Sequence, residues 1–295
     1  MCPPACRARR PGAPREDDLS GSRIKTIAIA ALLLINALFL TVIIIDAAAD
    51  ALSEREALEN VCAVLRAGGI MINPDAVSTA GPIRTMRTAR SLETEEAIAR
   101  AVLGQTVVTD QGVIYLYENA ERGSAEFASA GDFEIHLKEG VITNTNDTLR
   151  TIQGLLRSMN LETSEPLVSV SPDGETVTAA IAYRDASIFN CAVEFVFFGG
   201  SLQTIKGRYV AGFEPAEDGG VIHSAGTALL GFLAEVRREE RADVVCTQIH
   251  GVEAGYRHRV VGSFGEGVIA PAWLISTDNG FYLIDDASGE IWPFG

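Results

Sequence analysis

Residues 26–45 read TIAIAALLLINALFLTVIII, twenty positions with no charge, no proline and only Thr26, Asn36 and Thr41 polar. As a helix rising about 1.5 Å per residue, the run measures about 30 Å, the thickness of a bilayer's hydrocarbon core. No comparable run occurs elsewhere in the chain. It constrains the fold more than any other feature, because so much contiguous apolar surface must be covered by something other than water. The reading it gives is a transmembrane helix over residues 23–46, with a tethered domain after it.

The flanks set the expected orientation. Arg7, Arg9, Arg10, Arg15, Arg23 and Lys25 precede the run against Glu16, Asp17 and Asp18, whereas the whole chain carries −15. Basic flanks are retained in the cytoplasm. The expectation is a single-pass protein of the cell membrane, its amino terminus cytoplasmic and its carboxyl-terminal domain extracytoplasmic. Ala47-Ala48-Ala49 offers a small-x-small cleavage site, but signal-peptide cores run about 7–15 residues, so an uncleaved anchor is favoured. The Pro/Arg-rich residues 1–22 read as a disordered cytoplasmic leader.

The remaining length suffices for a sizeable core. Its acidity, without a basic-aromatic stripe, argues against nucleic acid as a partner. Cys2 and Cys6 lack the second pair that a zinc site needs. Cys62, Cys191 and Cys246 sit within or beside apolar stretches and read as buried core residues.

Beyond the run, Leu58, Val61, Cys62 and Leu65 form one helical stripe, and Ser91 caps a helix with Ile98, Ala101 and Val102 on its apolar face. Val113–Tyr117 and Phe133–Leu137 read as strands of period two, with a third at Ala125–Ala128. Asn146 or Asp147 caps a helix carrying Leu149, Ile152, Leu156 and Met159. Hairpins follow at 165–183, about Pro172-Asp173-Gly174, and at 191–210. A last helix carries Leu229, Phe232, Leu233 and Val236, and Asn279-Gly280 joins two alternating runs, the strongest hairpin signal in the chain. The expected fold class is α+β: one amino-terminal transmembrane helix, then two helix-plus-antiparallel-sheet units. The boundaries are 1–22 leader, 23–46 membrane helix, 47–145 first unit and 146–295 second unit.

Candidate chemistry is sparse. His250 and His258 are eight residues apart with Glu253 between them, a weak metal signature. His223-Ser224-Ala225-Gly226 loosely resembles a nucleophile elbow, but Ile222 stands where the first glycine belongs, and Ser224 reads better as a helix N-cap. The Gly-rich 262–267 is flanked by strands, which does not suit a phosphate cradle. Asp285-Asp286 carries no weight alone in so acidic a chain. No catalytic residue, cofactor or metal is expected. Within the apolar run, Asn36 reads equally as an amide bonded to a partner on another helix or as a tolerated polar residue, since an amide costs less there than a charge.

Ser22-Arg23-Ile24-Lys25-Thr26-Ile27 running into Leu34-Ile35-Asn36-Ala37-Leu38-Phe39-Leu40 resembles the amino-terminal anchor of YycI-type proteins. The far end agrees: Pro271-Ala272-Trp273, Gly280-Phe281-Tyr282-Leu283-Ile284 and Asp286-Ala287-Ser288-Gly289-Glu290 resemble the closing hairpin of that family and of PepSY-like domains generally. The leader is longer than the family pattern, and residues 70–220 do not match it position by position. The resemblance implies a non-enzymatic accessory regulator, in the inhibitory sense, of a two-component sensor histidine kinase of YycG/WalK type in Firmicutes. A YycH-like sister protein is the second implied partner, with Asn36, Phe39, Ala30 and Ala37 as transmembrane contacts. The alternative expectation is an extracytoplasmic PepSY-like binding module for a peptide, wall fragment or protease, with an apolar cleft lined by residues such as Phe195, Phe197 and Trp273.

Overall fold

The computed structural model describes residues 16–78, 83–143, 147–164, 166–171, 174–217, 220–238, 246–262 and 265–294; the side chains of 16–28, 30, 31, 38, 42–51 and 169–171 fall outside that description. The chain divides into two units, Met1–Ala57 and Leu58–Gly295. The expected leader lies outside the described residues up to residue 15, as do 144–146 of the expected boundary and Pro172-Asp173 of the expected turn.

Helix α1 (Glu16–Ala67, 52 residues) supplies all the described structure of the first unit. Along it Leu32, Leu33, Leu34, Ile35 and Phe39 stand exposed, and Thr41 Oγ1 donates to the carbonyl of Ala37 (2.8 Å). Among the described residues no helix is long and apolar enough to cross a membrane. That finding corrects the expected membrane helix over 23–46 and the single-pass, cell-membrane localisation built upon it. The physical reason lies in what hydropathy measures: it reports how poorly a segment tolerates water, and a bilayer is only one of several covers.

The second unit contains β1 (Met71–Ile72), β2 (Met86–Thr88), α2 (Leu92–Leu103), β3 (Val107–Asp110), β4 (Ile114–Asn119), β5 (Gly123–Ala128), β6 (Asp132–Leu137) and α3 (Thr148–Ser158). There follow β7 (Leu167–Ser171), β8 (Gly174–Tyr183), β9 (Ala186–Phe198), β10 (Ser201–Arg208), β11 (Glu214–Pro215), α4 (Ala225–Val236), β12 (Gln248–Val260), β13 (Gly267–Thr277), β14 (Gly280–Asp285) and β15 (Ile291–Phe294). The helices start where short polar side chains satisfy free amides: Ser91 accepts from Thr94 N, Asp147 from Arg150 N and Ser224 from Thr227 N.

The strands join in one 15-stranded mixed sheet, ordered β11-β2-β13-β12-β9-β10-β6-β5-β4-β3. From this path β14 and β15 branch off β13, β7 and β8 branch off β9, and β1 pairs with β12. The expected α+β class, a membrane helix and two helix-plus-antiparallel-sheet units, is overturned. Two pairings account for the difference. Strand β6 pairs antiparallel with β10, Asp132 facing Arg208 and His136 facing Thr204. Strand β9 pairs antiparallel with β8 and β10 and meets β12 in parallel at Ile188 and Tyr256. Alternation identifies a strand and its buried face, but it does not choose the neighbour.

Two apolar cores lie in this unit. Under α2 and α3, Ile98, Val102, Ile152 and Leu156 pack with Phe127, Ile135, Phe195 and Ile205 of the sheet. Under α4 and the end of α1, Cys62, Leu65, Leu229 and Phe232 pack with Trp273, Ile275, Tyr282 and Ile284. A small third cluster, Phe189, Ala272 and Leu283, is backed by Leu274 and Phe294. Residues of alternate parity thus send the two faces of the β13–β14 hairpin into different surroundings.

Candidate functional site

The hairpin of β13 and β14 is closed by its Asn279-Gly280 turn, where Thr277 Oγ1 donates to the Gly280 carbonyl and accepts from Asn279 N. Just past it stand two consecutive carboxylates that period two sends to opposite sides. Asp286 accepts from Trp273 Nε1 (3.3 Å), from the backbone N of His223 (2.9 Å) and makes a 2.9 Å contact with His223 Nδ1. That side is the α4 side, and the carboxylate ties the helix entrance to the hairpin.

Asp285 turns the other way and is 1 % exposed. Its Oδ1 accepts from both the N (3.0 Å) and the Oγ (3.1 Å) of Ser288. Its Oδ2 is buried and accepts no hydrogen bond. Arg257 Nη1 and Arg259 Nη1 each stop 3.9 Å from that oxygen, close enough for Coulomb attraction and too far for a hydrogen bond. The register explains how they reach it. Arg257 faces Ala270 across β12–β13 and Asp285 faces Ala272 across β13–β14, so two small side chains floor the path. The Arg257 guanidinium lies 3.9 Å from the centroid of the Trp292 ring, a cation–π contact. Among the described residues neither guanidinium donates a hydrogen bond. Both are partly exposed, and each carries five donors in a fixed fork. Two such forks beside an aromatic ring, on a chain of net charge −15, suit a carboxylate brought from outside.

A second polar cluster is closed on itself. Glu95 is fully buried, and Arg90 grips it through Nε–Oε1 (2.6 Å) and Nη2–Oε2 (3.1 Å) while Tyr209 donates to Oε1 (2.5 Å). Burial, and then the bond to Glu95, push the Tyr209 hydroxyl far above its ordinary pKa of 10. Nearby, His258 Nε2 lies 3.4 Å from Thr88 Oγ1 while its buried Nδ1 has no partner. Burial, assisted by Arg208, lowers the pKa of this imidazole. The cavity between these groups is about 10 Å³, room for at most one water. This cluster cross-ties α2, β2, β12 and the segment just after β10, and leaves no space for a ligand.

Of the residues singled out by sequence, Asn36, Ala37 and Phe39 are exposed on α1 in the first unit, and the side chain of Ala30 lies outside the described residues. His250 and His258 belong to the single strand β12, which sets them about 26 Å apart and prevents a shared metal. No group of three or more metal-ligating side chains gathers among the described residues. Ser224 Oγ is engaged with Thr227 as an N-cap. Of the 262–267 loop, Ser263 and Phe264 lie outside the described residues. Phe195 and Phe197 are buried in one core and Trp273 in the other, so they line no common cleft. Arg257, Arg259 and Trp292 escaped the sequence reading. The one available signal was the pair of arginines at i and i+2 on a strand of an acidic chain.

No protein-family model matches the chain, and no curated protein matches it. Among solved structures, an uncharacterised protein from Eubacterium rectale is similar at 10 % identity, with a TM-score of 0.46, over 77 % of this chain and 90 % of that one. The carboxyl-terminal domain of Bacillus megaterium YpeB is similar at 12 % identity, with a TM-score of 0.35, over 70 % of this chain and 99 % of that one. At these scores neither likeness bears weight on fold or function.

Proposed function

We propose that the chain is a non-enzymatic accessory regulator that acts by binding a partner protein, and that Arg257, Arg259 and Trp292 receive an acidic segment of that partner. One observation supports this reading above others: two guanidinium groups face a single buried carboxylate oxygen at 3.9 Å and leave their hydrogen-bond donors free among the described residues. In a chain of −15, such a site adds local attraction for an acidic segment where most of the surface repels it. The YycI-like resemblance names the proposed partners, a sensor histidine kinase of YycG/WalK type and a YycH-like sister protein. The closing hairpin that carries part of that resemblance also carries Asp285, which holds the arginines in place. Regulation follows if the partner's two signalling arrangements present the acidic segment differently, because a binder shifts an equilibrium only by its preference for one state.

The test is binding of the full chain to the kinase and the sister protein, with kinase autophosphorylation measured alongside. Double reversal to Arg257→Glu and Arg259→Glu is expected to weaken binding by about a hundredfold, the scale of a lost charged pair in an interface. The parent's affinity should fall with added salt and the variant's should not. Unchanged affinity in the double variant would overturn the proposed site, and absence of any effect on the kinase would overturn the regulatory reading.

A further inference from the structure

The free edge of β3 points to a second interaction surface, independent of the regulatory reading. Strand β3 ends the sheet: among the described residues it pairs with β4 and with no other strand. Gln111 N donates to Ile114 O across the turn into β4. Ladder groups alternate along an antiparallel strand, so Val107, Thr109 and Gln111 aim their backbone N–H and C=O at β4. Thr106, Val108 and Asp110 therefore direct theirs outward. Three protections of an edge are missing: β3 has no lysine and no proline, and its register with β4 runs without a bulge. Val107 and Val108 are 71 % and 49 % exposed.

We infer that a second copy of this chain occupies the edge, its β3 antiparallel to the first about Val108, so that one sheet continues through a twofold dimer. The argument is self-complementarity. Residues 104–112 read G-Q-T-V-V-T-D-Q-G. A twofold axis normal to the sheet at Val108 sets Val108 against its copy, Val107 against Thr109, Thr106 against Asp110, Gln105 against Gln111 and Gly104 against Gly112. Val and Thr have the same shape, a Thr hydroxyl donates to a carboxylate, amides pair with each other, and no charge meets its like.

The outward backbone groups fall on residues 106, 108 and 110, the set that this register joins. A register centred on Val107 keeps a Val–Thr match at Thr106 and Val108, but it sets Gln105 against Thr109 and Asp110 against Gly104, so the hydroxyl–carboxylate and amide pairs are lost. Gly104 (φ +74°) and Gly112 (φ +88°) lie equally far from Val108, and their left-handed conformations turn the chain away at both ends of the paired segment. Charge agrees as well. In a chain of −15 this segment holds one charge, Asp110, whose carboxylate accepts from its own Gly112 N (2.7 Å) and Tyr115 hydroxyl (3.0 Å).

Sedimentation of the full chain over a range of concentrations should show a monomer–dimer equilibrium. Val108→Pro removes an outward N–H and no bond to β4, and is expected to weaken dimerisation about tenfold or more. The register is tested by disulfide capture in a Cys2→Ser, Cys6→Ser background, the described cysteines Cys62, Cys191 and Cys246 being buried. Val108→Cys should link two copies under mild oxidation, because hydrogen-bonded partners sit about 5.5 Å apart at Cα, inside the disulfide range. Thr109→Cys, opposite Val107, should not link to itself. A chain that stays monomeric at every concentration, a Val108→Pro dimer as tight as the parent's, or equal linking by both cysteine variants would each overturn the inference.

Discussion

Single side chains in this molecule divide into those whose polar partners are complete and those whose partners are not. Glu95 belongs to the first kind, with Arg90 and Tyr209 saturating a carboxylate that has no access to water. Removing one member of such a set strands the other in a dry site. Glu95→Ala is expected to cost about 3–5 kcal/mol of stability in urea unfolding, because the Arg90 charge is left without its counterpart. His258 belongs to the second kind. Its folded pKa lies below the ordinary 6.5, so the folded chain resists a proton that the unfolded chain accepts. Stability is therefore whole above about pH 6.5 and declines as the pH falls from there towards the depressed folded value. Unfolding midpoints measured at pH 7.5 and pH 5.5 should show that loss, and His258→Gln should remove its share. Neither environment was legible beforehand, because each assembles residues from strands and helices far apart in the chain.

Among the elements, the closing hairpin does the most to organise its surroundings. Its one face places Trp273, Ile275, Tyr282 and Ile284 under α4, and its other face presents Asp285 to Arg257 and Arg259. Trp273→Ala would empty the centre of the smaller of the two main cores and free one hydrogen bond of Asp286. The expected cost is about 3–5 kcal/mol, read as a lowered midpoint in thermal or urea unfolding. Element-level features were also the most readable from sequence. Ser91, Asp147 and Ser224 cap the helices expected of them, and Asn279-Gly280 turns the expected hairpin. Each of these rests on contacts within a few residues, which is the range over which local chemistry decides. Asp285-Asp286 looked like one acidic pair among many. Its meaning came from alternation, which gave one carboxylate to each face.

For the molecule as a whole, pairing order was the part that sequence did not reveal. The alternating runs identified where strands lie, but not that β6 would find β10 or that β9 would meet β12. Those choices depend on the twist and fit of the complete sheet. The apolar run at 26–45 taught a related lesson: it shows that water is unfavourable for that surface, and it does not name the cover. Strands β1 and β2 add a consequence in time. β1 pairs with Gln248–Ile249, β2 with Gly267–Ile269, and the other partner of β2 is the two-residue β11. Roughly 180 residues separate each strand from its long partner, and a ribosome adding about 5–20 residues per second needs about 9–36 s to supply them. For that interval the growing chain carries two strands whose long partners have not yet been made, and the last fifth of the message decides whether the first third can be locked in place.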